Sequence, residues 1–83
     1  MEKLTTESKF MVAAFRLRSH TVKFYQLLKS YRIGAVVVNT PRALSVGCGL
    51  SVKFLRSAEK KVSIILNRNY LSSYIGTFPY TEE

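Results

Sequence analysis

The stretch TPRALSVGCGLSVKF, residues 40–54, admits two readings, and the fold turns on the choice between them. It contains the only cysteine of the chain, Cys48, between Gly47 and Gly49. In one reading Leu44, Val46, Cys48, Leu50, Val52 and Phe54 alternate with Ser45, Gly47, Gly49, Ser51 and Lys53. A period of two marks a strand with one buried face, and Cys48 would then be a small core residue. In the other, Thr40 to about Gly49 is a loop and the strand begins near Leu50. Length favours the loop. A strand over residues 44–54 is about twice the usual five or six residues, and its expected partner, AVVVN, has only five. Two glycines around one residue also weaken a strand interior and mark close backbone approach.

Outward from this stretch, KFMVAAFRL is apolar on both alternating faces, which suits a central strand over Lys9–Leu17. Phe24, Leu27, Leu28 and Tyr31 follow at helical spacing and predict a helix over Ser19–Arg32, with Ser19 as N-cap and Gly34 in the C-cap region. AVVVN, Ala35–Asn39, is β-branched and predicts a second strand, which Pro41 ends. After LSVKFL, Ser57 is a candidate cap for a second helix. Ala58, Val62, Ile65 and Leu66 form its apolar face, and it ends at Asn67–Asn69. A last strand is expected near Tyr74–Phe78, with Pro79 indicating a sheet edge. The order β-α-β-β-α-β predicts an α+β, ferredoxin-like two-layer sandwich: an antiparallel sheet, strand order 4-1-3-2, with two helices on one face. In that topology the Cys48 segment and the start of the first helix, Ser19 and His20, lie at one end of the sheet.

The 83 residues predict one domain over 9–80, between a polar N-terminal tail (1–8) and an acidic end (81–83). Hydrophobic residues make up 47%, enough for a core. MEKLTTESK shows no basic cluster followed by an apolar run, and AVVV and SIIL are too short to span a bilayer, so a cytoplasmic location is expected. Thirteen Lys and Arg face five Glu and no Asp, a net +8. Four of the acids sit at the two ends, leaving twelve bases against Glu59 alone in the body. Such a body attracts an anionic partner.

Pro41, Arg42, Leu44, Ser45, Cys48 and Gly49, followed by LSVKF, resemble the signature of the selenium/sulfur carrier protein-like family, small bacterial proteins of uncharacterised role. AFRLRSHTVKFYQLLKSYRIGAVVV resembles that family's first strand, helix and second strand. The chain departs from it in carrying Gln26, where relatives often have a glutamate. The resemblance implies a carrier rather than a catalyst, with a persulfide-type adduct of sulfur or selenium on Cys48 and no cofactor or metal. Arg42 would stabilise a thiolate, as would Lys53 and the His20 end of the helix, because positive neighbours favour the charged sulfur. Gly47 and Gly49 would give backbone access, and Pro41 and Ser45 complete the motif. The basic surface would dock an acidic donor or acceptor protein.

Other chemistry is poorly supplied. One His, no Asp and a single acid in the body leave a Cys48–His20 pair without an orienting third group. His20 and Cys48 make two metal ligands at most. No phosphate-loop or dinucleotide glycine pattern occurs. The rival reading is a basic ferredoxin-like module with a structural cysteine that binds nucleic acid or protein. The fold resembles RNA-recognition modules and the charge suits phosphate contacts, but the aromatic signature expected on a central strand is missing, and LSVKFL keeps only a basic residue next to Phe54. Phe24, Tyr25 and Tyr31 read as helix packing, while for Tyr70, Tyr74 and Tyr80 exposure and strand packing explain the sequence equally well. The short, apolar second strand lies at a sheet edge and is able to pair with a second copy.

Overall fold

The structure, a computed structural model, describes residues 9–80; the expected terminal segments 1–8 and 81–83 lie outside the described residues. Its elements are β1 (Phe10–Phe15), α1 (Arg18–Ser30), β2 (Ala35–Asn39), β3 (Leu50–Leu55), a 3-10 turn (Arg56–Ala58), α2 (Glu59–Arg68) and β4 (Tyr74–Pro79). They form one four-stranded sheet in the order β2-β3-β1-β4, with every neighbouring pair antiparallel. This is the ferredoxin-like α+β arrangement expected from the element order.

β1 is buried on both faces. Met11, Ala13 and Phe15 pack with Val52 and Phe54 of β3 and with Phe24, Leu28, Val62, Ile65 and Leu71 in the single core between sheet and helices. The rings of Phe15 and Phe24 meet at 5.3 Å and 50°, a tilted pairing that suits aromatic quadrupoles. Val12 and Ala14 point to the opposite face and are fully buried as well. β1 is shorter than Lys9–Leu17 because Ser73 takes over its end. Arg16 N–H donates to Ser73 O (2.9 Å) and Leu17 N–H to Ser73 Oγ (3.3 Å), which bends the chain into α1. Opposite that bend the pairing with β4 slips between Ala14 and Phe15.

Both expected N-caps are corrected. α1 begins at Arg18 with Leu17 as N-cap, so Ser19 lies inside the first turn and makes no cap bond. α2 is entered through the 3-10 turn, which absorbs Ser57 and leaves Ala58 at the cap position without a side-chain acceptor. Glu59 in the first turn of α2 sets a negative charge against the positive end of the helix. The C-terminus of α1 is also corrected. Arg32, not Gly34, adopts the left-handed conformation (φ 62°). Arg32 N–H donates to Lys29 O and Ile33 N–H to Leu28 O, each at 2.9 Å, the paired bonds of a Schellman ending. Asn69 closes α2 by giving both its backbone N–H and its side-chain amide to Ile65 O, each at 3.0 Å. β4 reaches Pro79 and occupies a sheet edge, where a missing N–H is tolerated.

Among the described residues no helix is long and apolar enough to cross a membrane.

Candidate functional site

The segment between β2 and β3 is a loop, and β3 starts at Leu50. Thr40 N–H donates to Gly49 O (2.9 Å) across its base, and the hydroxyls of Thr40 and Ser51 bond at 2.6 Å just below. Within the loop Leu44 N–H donates to Pro41 O (3.0 Å), forming a turn on the buried Pro41. Ser45 Oγ donates to Arg42 O (3.1 Å). Alternate residues then take positive φ: Ser45 at 47°, Gly47 at 78° and Gly49 at 94°. This sequence of reversals folds the chain into a compact loop instead of the extended strand that its alternating hydrophobicity suggests.

Gly47 is fixed by more than its dihedral. A Cβ there would lie 2.6 Å from Phe15 O. The close approach lets Cys48 N–H donate to that same carbonyl (3.1 Å), which ties the loop to the end of β1. Cys48 is a free, partly buried thiol outside the core cluster. Its Sγ lies 3.7 Å from Thr21 Oγ1 and 3.7 Å from Leu50 O. The thiol donates to the Leu50 carbonyl. The Thr21 hydroxyl donates to Leu17 O at 3.4 Å, and turning its one proton to the sulfur means giving up that long bond.

The expected residues are distributed around this loop in three groups. Pro41, Arg42, Ser45, Gly47 and Gly49, with Thr40 and Val46, line an open hollow of about 330 Å³. Arg42 stands exposed on its wall. His20 lies in the first turn of α1, where Nδ1 bonds Ser73 Oγ at 2.7 Å. Ser73 Oγ also accepts from Leu17 N–H (3.3 Å), so one hydroxyl ties His20 to the bend at the start of α1. Lys53 is elsewhere: its Nζ sits 4.4 Å from the ring centroids of both Phe10 and Tyr80. Phe10 is the far end of β1 from Phe15, five steps of roughly 3.3 Å, or about 16 Å, away.

The residue of α1 that meets Cys48 is Thr21, which sequence reasoning missed. The available signal was helical periodicity. Thr21, Phe24 and Leu28 are the buried residues of α1, at i, i+3 and i+7. Extending the apolar stripe one turn toward the N-terminus reaches Thr21, which lies inside the expected helix but is polar, so the stripe beginning at Phe24 does not single it out. Ser73 carried no comparable signal, since it lies 53 residues from the histidine it bonds.

A family model described as "Putative Se/S carrier protein-like" matches residues 10–75, from the first residue of β1 into β4. No curated protein and no solved structure matches the chain.

Proposed function

The chain belongs to the Se/S carrier protein-like family, and from that membership and the setting of its one thiol we propose that it carries a sulfur or selenium atom on Cys48 between a donor and an acceptor. The observation that supports this most is the place of Cys48 on a closed, glycine-shaped loop outside the core, with the Thr21 hydroxyl at its sulfur. A cysteine used only as core filler needs neither the positive-φ glycines nor the bond to Phe15 O.

Loading by sulfur is a thiol exchange. The Cys48 thiolate attacks the outer sulfur of a persulfide donor, R–S–SH. The donor's S–S bond breaks, its electron pair leaves with RS⁻, and RS⁻ takes up the proton that Cys48 gave up. Cys48–S–SH results with no net oxidation. Delivery is the same exchange in reverse, with an acceptor thiolate attacking the outer sulfur and Cys48 leaving. A selenium-bearing donor of the same form would exchange in the same way. The protein is then a carrier and not a catalyst.

Thr21 is the hydroxyl donor to the charged sulfur at each end of that exchange. Gly47 and Gly49 shape the loop that presents it, and Pro41 anchors that loop. Arg42 and Ser45, on the wall of the adjoining hollow, meet the donor's anionic groups. His20 holds the start of α1 in place through Ser73. An acidic donor or acceptor protein docks against the basic body.

The test is the alkylation rate of Cys48 in native protein and in denaturant. The carrier reading expects native alkylation within about tenfold of the unfolded rate, since a working thiol must be reachable. A thiol that alkylates only on global unfolding sinks it.

A further inference from the structure

Both helices cover one face of the sheet, and the opposite face carries a second group of residues unrelated to Cys48. There the register sets Phe10 and Val12 of β1 beside Leu55 and Lys53 of β3, with Val36 of β2 beside Lys53 and Phe78 of β4 beside Val12. Tyr80, just past β4, joins them by donating its N–H to Phe10 O (2.9 Å). Lys53 Nζ lies 4.4 Å from the centroids of both Phe10 and Tyr80, and Lys9 Nζ is 6.0 Å from Phe10. The ring of Phe78 lies over Gly76, where a Cβ would come within 3.1 Å of it. At the same end a hollow of about 370 Å³ is bounded by Phe10, Val36, Lys53 and Leu55. Val36 and Leu55 are 52% and 41% exposed.

We propose that this face binds single-stranded nucleic acid, with bases stacked on Phe10 and Tyr80 and the flanking phosphates on Lys53 and Lys9. Two independent features meet in that ligand. Half-buried flat rings on the helix-free face of the sheet stack on unpaired bases irrespective of sequence. The described body, with twelve bases against one acid, attracts a polyanion. Charge separates this occupant from a second copy of the chain, which would set like charge against like. The rings separate it from an acidic protein, which needs the lysines but not the stacking surface. The proposal does not depend on the carrier reading, because the face and the thiol lie at opposite ends of β1.

The probe is a fluorescently labelled oligouridine of about twelve nucleotides, in the range such surfaces occupy, read by anisotropy beside a duplex of equal length. The expected result is preference for the single strand. Phe10→Leu, Tyr80→Ala and Lys53→Gln each weaken binding by about tenfold, while Phe10→Trp holds it within about threefold, because stacking and not bulk is what is used. Lys60→Gln, on α2, changes it by less than about threefold. Thermal melts establish that each variant is folded. If Phe10→Leu unfolds, Tyr80→Ala at the end of the described chain carries the test. Equal affinity for duplex, an effect of Lys60→Gln matching that of Lys53→Gln, or no binding at low salt overturns the proposal. So does a dimer in sedimentation that Tyr80→Ala dissolves, which would assign the face to a second copy.

Discussion

Gly47 combines two constraints that usually occur apart: a φ of 78° and a carbonyl, Phe15 O, where its Cβ would be. Gly49 has the first constraint alone, with φ 94° and open space around it. The two positions should therefore separate in urea unfolding. Gly49→Ala is expected to cost about 1–2 kcal/mol, the ordinary penalty of left-handed backbone. Gly47→Ala should cost roughly 2–4 kcal/mol, because backbone must also move. Equal costs would show that the approach to β1 is not what shapes the loop. Thr21 bears on reactivity. Thr21→Val keeps the shape of the buried side chain and removes the donor to the sulfur. Alkylation of native Cys48 is expected to slow by about tenfold, the scale of one hydrogen bond to a charged group, with the unfolded rate unchanged. At this scale the sequence was half legible. The flanking glycines marked the loop around Cys48, but the thiol's partner, Thr21, is a polar residue one turn before the apolar stripe that begins at Phe24. The partner of His20 lies far away in the chain, where no local pattern points.

Elements were more legible than their ends. Hydrophobic period separates strands from helices because burial on one face is what each element must achieve, and all six expected elements are present with the expected sheet order. Ends are set by a few backbone groups, which tertiary contacts can satisfy in place of a local cap. Ser73 bends the chain at Arg16 and Leu17, so α1 starts without Ser19. At its other end Arg32 occupies a position that favours glycine, and Ile33, at the following position, packs against the core that holds Leu28. Arg32→Gly is expected to stabilise the protein by about 0.5–1 kcal/mol, since the relief of left-handed strain exceeds the added freedom of the unfolded chain. A shift of the urea midpoint to higher concentration, with the slope unchanged, checks it. A destabilised variant would mean that the arginine side chain contributes more than its backbone costs.

Across the whole molecule the dominant quantity is charge. Twelve bases in the described body, offset by one acid, repel one another in the compact state. Raising sodium chloride from about 10 to about 150 mM shortens the screening length from roughly 30 to 8 Å, so the melting temperature is expected to rise over that range. A fall would mean that attractive ion pairs outweigh the repulsion. The sequence exposed this imbalance at once, but not its relation to the fold. Phe10 reads as one more apolar residue in KFMVAAFRL until pairing places it beside Lys53 and Tyr80. The thiol sits at the other end of β1, so the proposed sulfur chemistry is separate from the aromatic face. The most direct measurement of that chemistry is intact-mass spectrometry after incubation with a small-molecule persulfide. The expected result is one added sulfur on the native protein, removed by a thiol acceptor and not formed on Cys48→Ser. A native protein that gains no sulfur while its unfolded form does would contradict the account.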